Sequence, residues 1–371
     1  MKNRRRLATL FLGLVLLMSG CWDARDVDKL AFPLCAGYDV HRGDKQGPDW
    51  VDVTTLIPNL SPEAPNKLHV QTLSERTTAY ARNPRTYYDA DEYLPGINRV
   101  LILGYDLARH GYTNYIDTLG RVPGISGTML FAVAQGRAEE IIKTPAKDYQ
   151  NNGFYLIILL GEAQKKSFIP TVRGFEMFVN LAPGKNPVLP VVKKDKNKII
   201  IGGAALFRKD KLIYLCNTDE TRTMMMLRGI KAKGYYPFQL QGDGKGEQKG
   251  TVFIGNRRKV KVVRQGNQYT YYINIKLHGV VVEHLNHAQT LDQECVDCIE
   301  RSIANKVEGE CQRFLAKMQN ELKTDCIDIN KYALAKWRRE LTPVIDSEEF
   351  IQNARIEVKA EVALENAGES L

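Results

Sequence analysis

LDQECVDCIERSIANKVEGECQRFLAKMQNEL, residues 291–322, carries the longest helical periodicity in the chain. One face collects Leu291, Cys295, Cys298, Ile299, Ser302, Ile303, Val307, Cys311, Phe314, Leu315, Met318 and Leu322, in steps of three and four. That spacing predicts an amphipathic helix from Thr290 to about Lys323 whose apolar stripe packs on a sheet. Candidate strands lie on either side. Before it come Thr251–Ile254, Lys259–Arg264 and Tyr269–Glu283, the last two joined across Gln265-Gly266-Asn267-Gln268. After it, Asp328–Leu341 predicts a second helix stopped before Pro343, and Ala354–Leu364 alternates Ile356, Val358, Ala360, Val362 and Leu364 as a closing strand. The C-terminal half therefore reads as an antiparallel sheet backed by a long helix.

Upstream, Lys198–Phe207 and Leu212–Cys216 flank the charged turn Arg208-Lys209-Asp210-Lys211 and predict a β-hairpin. Asp219 is placed to cap a helix that ends near Leu227 and Gly229, and Gly242–Gly250 reads as a glycine-rich loop. Earlier still, Val51–Ile57, Leu68–Leu73, Val100–Gly104 and Thr128–Ala134 predict strands, interleaved with short helices at Leu107–His110, Tyr115–Leu119 and Ala138–Lys143. Ser74–Arg82 is a candidate helix start, Asn59–Asn66 an exposed loop, and the apolar run Phe154–Leu160 reads as a buried strand. Pro183, Gly184, Pro187, Pro190 and several lysines mark Ala182–Lys198 as a boundary. The fold class is α/β with mixed α and β elements, multi-domain. The expected units are an N-terminal mixed α/β domain over 21–190 and a C-terminal domain over 197–371, divided into hairpin and helix (197–250) and sheet plus long helix (251–371).

The first twenty residues have a different character. Lys2, Arg4, Arg5 and Arg6 precede an apolar run from Leu7 to Met18, followed by Ser19-Gly20-Cys21. The run is shorter than the ~20 apolar residues a membrane span needs. Its layout is that of an export signal over residues 1–20, and the cysteine after the small pair makes it a lipoprotein signal with Cys21 as the acylated residue. A diacylglyceryl group there anchors a protein without a spanning helix, because each buried methylene contributes ~0.8 kcal/mol and two chains hold stably.

The chain has a formal net charge of +9, of which the signal holds four, leaving +5. That balance does not point to nucleic acid, and it suits a position near an anionic membrane surface. His284, His287, Cys295 and Cys298 have zinc-like spacing. The reading preferred is core cysteines and loop histidines, with the metal site as the weaker alternative; a disulfide among Cys295, Cys298, Cys311 and Cys326 stays open. Gly242-Asp243-Gly244-Lys245-Gly246 lacks the Lys-Ser/Thr ending of a phosphate loop, and Gly124-Ile125-Ser126-Gly127 lacks the glycine spacing of a hydrolase elbow. The group Arg257, Arg258, Lys259 and Lys261 reads as a solvated strand edge. No catalytic constellation and no cofactor site is expected.

Gly20-Cys21-Trp22-Asp23, followed by Asp26-Val27 and Leu30-Ala31, resembles the start of the Ger(x)C family of spore germination lipoproteins. The hairpin Ile201-Gly202-Gly203-Ala204-Ala205-Leu206-Phe207-Arg208-Lys209-Asp210-Lys211-Leu212 is similar to that family's second signature, as are the helix from Asp219-Glu220 to Leu227-Arg228-Gly229, the long helix, Trp337 and the closing strand. The chain departs from the family at Asp26-Val27, where Glu-Ile is common, and at Met18, where Leu is. The resemblance implies a non-enzymatic lipoprotein, the C subunit of a nutrient germinant receptor. It implies attachment through Cys21 to lipid on the outer face of the inner spore membrane, and integral membrane A and B subunits as partners. Trp22 and Asp23 are the docking candidates beside the membrane. A solute-binding lipoprotein of a transport system is the alternative, and it calls for two similar lobes around a cleft. A lipid-anchored cell-wall enzyme would need acid or metal clusters that the sequence lacks.

Overall fold

The computed structural model describes Arg4 and residues 30–365, except 43–49, 60–67, 89–91, 123–124, 147–148, 150, 241–247 and 286–292. Cys21 and, apart from Arg4, the segment 1–20 expected to be a signal lie outside the described residues, as do most of the Asn59–Asn66 and Gly242–Gly250 loops.

The N-terminal half is built on a nine-stranded sheet. After the two-residue β1 (Leu30–Ala31) come β2 (Cys35–Val40), β3 (Val51–Pro58) and β4 (Leu68–Glu75), then the short β5 (Glu92–Tyr93), which pairs in parallel with β1. Next are β6 (Val100–Leu103), β7 (Leu130–Ala134), β8 (Val172–Arg173), β9 (Val188–Asp195), β10 (Lys198–Arg208) and β11 (Lys211–Cys216). The sheet order is β11-β10-β9-β7-β6-β2-β3-β4, with β8 paired to β7. Its centre, β2, β6, β7 and β9, is parallel, and both flanks are antiparallel.

The central strands are apolar runs because both faces are covered. Leu101, Leu103, Phe131 and Val133 point to one layer, with α1 (Tyr105–His110) and α2 (Thr113–Arg121). Val100, Ile102, Leu130 and Ala132 point to the other, with α3 (Ala138–Lys143) and α4 (Asn152–Ser167). Asp39 of β2 accepts the amides of Ala138 and Glu139 at 2.8 and 3.0 Å, fixing the start of α3 against the sheet.

Two expectations change here, and the sheet also runs through the segment read as a boundary. Phe154–Leu160 is helical, the middle of α4, and not a strand. Asn151 caps it by accepting the Phe154 amide at 2.9 Å, and Leu156, Leu160 and Ala163 form the buried stripe. Seven apolar residues suit either state, and the cap together with the polar half-helix that follows decides the outcome. Ser74–Arg82 forms only a short 3-10 turn, Tyr80–Arg82. Ala182–Lys198 contains β9, so the sheet continues from residue 134 into the hairpin β10–β11. Parallel pairing of β9 with β7 starts at Val191, just past Pro190. Gly203 takes φ +128° at an irregularity in the β9–β10 pairing, and a Cβ there would sit 2.1 Å from the Cys216 carbonyl oxygen. Only glycine fits that approach.

α5 (Gly174–Val179) and α6 (Thr218–Arg228) lead into the second sheet, of order β12 (Lys233–Leu240), β13 (Gln248–Gln265), β14 (Gln268–His284) and β15 (Arg355–Glu365). β13 and β14 are antiparallel as expected, with Thr251–Ile254 and Lys259–Arg264 forming the one strand β13, β12 pairs antiparallel to β13, and β15 joins β14 in parallel. The strand β12 has no counterpart in the sequence reading. The long helix α7 (Gln293–Lys317) crosses between β14 and β15 and buries Val296, Ile299, Ile303, Val307, Cys311, Phe314 and Leu315. It widens into a π turn, Met318–Leu322, before α8 (Asn330–Leu341) and α9 (Glu348–Asn353).

Two α7 carboxylates also reach the outer edge of β15. Glu308 accepts the Ala360 amide at 2.8 Å and Glu300 the Leu364 amide at 2.7 Å. They occupy edge groups that would otherwise offer a pairing template. The C-terminal core also takes Val188, Ala204 and Leu206 from β9 and β10, so the two halves share packed apolar surface. Trimming the centre of this core, Ile303→Val, is expected to lower unfolding free energy by about 0.5–1.5 kcal/mol, read from urea midpoints at unchanged m.

Candidate functional site

Cys21, Trp22 and Asp23 lie outside the described residues, but the point where the following chain joins the fold is defined. β1 is held by β5, and the Leu94 amide donates to the Ala31 carbonyl at 3.1 Å. The nine residues from Cys21 to Leu30 reach at most about 30 Å when extended. Elsewhere in the N-terminal half Tyr80, Tyr87 and Ile97 are exposed, Tyr87 by 78%.

The four zinc-type candidates are partly assembled. His284 Nε2 lies 3.3 Å from Gln248 Oε1, and the Cys295 thiol donates to the same oxygen at 3.7 Å. Cys298 is half-buried and accepts from Arg301 at 3.3 Å. His287 lies outside the described residues. Among the described residues no three His, Cys, Asp or Glu side chains converge at metal distance. Cys295 and Cys298 flank the buried stripe of α7 while Cys311 lies within it, because Val296 and Ile299 take the inward positions. Cys295, Cys298, Cys311 and Cys326 are all unbridged. Burial pushes the Cys311 and Cys326 thiols up to about 12, which keeps them protonated and unreactive.

Two features that sequence reasoning missed join distant segments. In the first, three arginines hold the chain between α7 and α8. Arg208 donates to the Leu322 carbonyl at 2.9 Å and to Thr324 Oγ1 at 2.8 Å. Arg228 reaches the carbonyls of Cys326 (2.8 Å) and Asn186 (2.9 Å), and Arg258 those of Ile327 (2.8 Å) and Leu227. Arg258 belongs to the basic group expected on a solvated edge. Arg257, Lys259 and Lys261 are exposed there, but the period-two alternation turns Arg258 inward. Gly229 ends α6 at φ +72° directly under Arg258, where a Cβ would lie 2.7 Å from Nε.

Inside the same segment Asp325 is buried and accepts the amides of Ile327 and Asn330 at 3.0 and 2.8 Å. Burial raises its carboxyl to about 6, against about 3.9 in an unfolded chain. The folded protein thus keeps a proton that the unfolded chain releases between about pH 4 and 6. This contribution favours folding most at the acid end and is lost as pH rises through that window. Asp325→Asn is expected to remove that slope, seen as a wild-type-minus-variant stability difference that changes between pH 4 and 6 and is flat above.

The second is a polar cleft of about 390 Å³ between α6 and α7. Lys317 Nζ lies 2.5 Å from Glu220 Oε1 and donates to Tyr214 Oη at 2.8 Å. Asn217, not Asp219, caps α6 by accepting the Glu220 amide, and Glu220 returns the bond to the Asn217 amide at 3.2 Å. The charges pair with one another and serve helix capping. They form a structural clasp with no poised acid, base or nucleophile.

Comparison with known proteins covers both halves of the chain. Residues 23–194 match the family model described as spore germination protein N-terminal domain, and 202–368 match the one described as spore germination B3/GerAC like, C-terminal. The spore germination protein GerQC of Bacillus cereus is 20% identical over 366 residues, covering 97% of this chain and 98% of that protein. Spore germination protein B3 of Bacillus subtilis (strain 168) is 23% identical, covering 90% and 89%. The crystal structure of the GerBC protein shares the fold, with a TM-score of 0.59 at 17% identity over 91% of this chain and 99% of that one. With both halves matched in order, the chain belongs to the Ger(x)C family of spore germination proteins.

Proposed function

We propose that this protein is the lipoprotein C subunit of a nutrient germinant receptor, without catalysis of its own. In this reading Cys21 carries the diacylglyceryl anchor on the outer face of the inner spore membrane, and integral membrane A and B subunits are its partners. The observation that carries it is the match of both family domains across the chain, directly behind a lipoprotein-type Gly20-Cys21-Trp22-Asp23 start. No described helix is long and apolar enough to cross a membrane. The different topologies of the two sheets disfavour a solute-binding protein with paired lobes. The test is affinity capture of C-terminally tagged protein from detergent-solubilised spore membranes. Recovery of two multi-spanning partners is expected, and recovery of the protein alone would refute the receptor assignment.

A further inference from the structure

The first half of α4 is apolar on both faces. Leu156 and Leu160 turn inward, while Phe154 and Ile158, one turn apart, point outward and are 42% and 47% exposed. A helix apolar all round is ordinarily covered all round. The second half turns polar and runs against the start of β12, where Gln164 donates to the Lys231 carbonyl at 2.9 Å. The bare apolar face is therefore confined to the first two turns. Beside it stands the tip where β9 turns into β10, Lys193-Lys194-Asp195-Lys196-Asn197-Lys198. Lys194, Lys196 and Lys198 are exposed, and among the described residues no carboxylate pairs with any of the four lysines. Tyr155, next to Phe154, joins helix to hairpin by donating its hydroxyl to the Ile199 carbonyl at 2.7 Å. Its ring lies 4.9 Å from that of Tyr149, and a groove of about 260 Å³ runs between this aromatic pair and Lys198.

The start of α4 also packs on the segment by which the chain from Cys21 enters the fold. β1 ends at Ala31, and three residues on, Leu34 lies under the first turn of α4, where a Cβ on Gly153 would stand 2.8 Å from Leu34 Cβ. Unpaired lysines beside outward apolar and tyrosine side chains suit an anionic bilayer. The cations meet lipid phosphates, the tyrosines sit at headgroup level, and the apolar groups reach the acyl boundary. We propose, resting on the reading that Cys21 is acylated, that the outer face of α4 and the β9–β10 tip lie against an anionic phospholipid bilayer. Two apolar side chains and one lysine turn bind weakly by themselves. Tethered through Cys21 at a reach of about 30 Å, they act at high effective concentration and orient a body that its acyl chains already hold.

The test is photocrosslinking of the acylated full-length protein in phosphatidylcholine vesicles with or without phosphatidylglycerol. Benzoylphenylalanine replaces Ile158 or, as a reference, Tyr235, which is 64% exposed on the second sheet. With phosphatidylglycerol, lipid adducts at position 158 are expected to exceed those at 235 severalfold. They are expected to fall severalfold without it, and again when Lys194→Glu, Lys196→Glu and Lys198→Glu are combined. These three lysines are exposed, so the combined variant is expected to keep the wild-type urea midpoint. Equal adduct yields at 158 and 235 would overturn the proposal, as would a yield at 158 indifferent to phosphatidylglycerol and to charge reversal. So would adducts at 158 that go to protein and not to lipid in spore membranes, which would make the face a partner-subunit contact. Sedimentation of the same vesicles separates the two readings. Protein that pellets without lipid adducts at 158 refutes this orientation alone, and protein that fails to pellet refutes the anchor itself.

Discussion

Arg258→Ala is expected to lower the unfolding free energy by about 2–5 kcal/mol, since two buried carbonyls would each lose a charged donor at about 1–3 kcal/mol. Those carbonyls, of Leu227 and Ile327, lie on different elements, and both residues are fully buried. The guanidinium also reaches the Tyr332 hydroxyl on α8. Arg258→Lys is expected to recover little, because one ammonium on a flexible stem cannot span both carbonyls and the phenol. Urea unfolding of the two variants beside wild type measures this. A loss under 1 kcal/mol for the alanine variant would mean that water replaces the guanidinium without cost.

The other large effect concerns location. Cys21→Ala is expected to move the protein from the membrane pellet to the soluble fraction, because removal of the acyl chains removes the membrane affinity at ~0.8 kcal/mol per methylene. Its soluble body is expected to unfold at the same urea concentration as wild type, since residue 21 precedes the first strand, β1, by nine positions. Fractionation and unfolding on the same preparations separate loss of anchoring from loss of fold. Retention of the variant in the pellet would count against the lipid anchor.

Elements whose stability comes from local pattern were legible in the sequence. The apolar runs at 100–103 and 130–134, the charged hairpin at 208–211, the stripe of α7 and the alternation of β15 each announce their state by spacing alone. β12 escaped because Pro237 argues against a strand. It is tolerated at the sheet edge, where a missing N–H need not break a ladder, while Tyr236 and Phe238 alternate inward on either side of it. α4 was misread because a cap residue, not the apolar run, settles its state. The arginine-held segment was illegible for a different reason. Arg258 and Ile327 are 69 residues apart, and no short-range pattern encodes such a meeting.

The parallel pairing of β15 with β14 sets an order of events. The strand that completes the second sheet comes from residues 355–365, and its partner from 268–284. The connection must carry α7, α8 and α9 across before the two can meet. Closing so long a loop precedes any gain from the contacts it makes, so this half is expected to fold late. A nascent chain halted near residue 350 would leave β14 with a bare edge, and α7 without the backbone amides that Glu300 and Glu308 hold. The C-terminal half therefore stays unfinished until residues 355–365 have been made, and nicking or truncation within β15 would undo it.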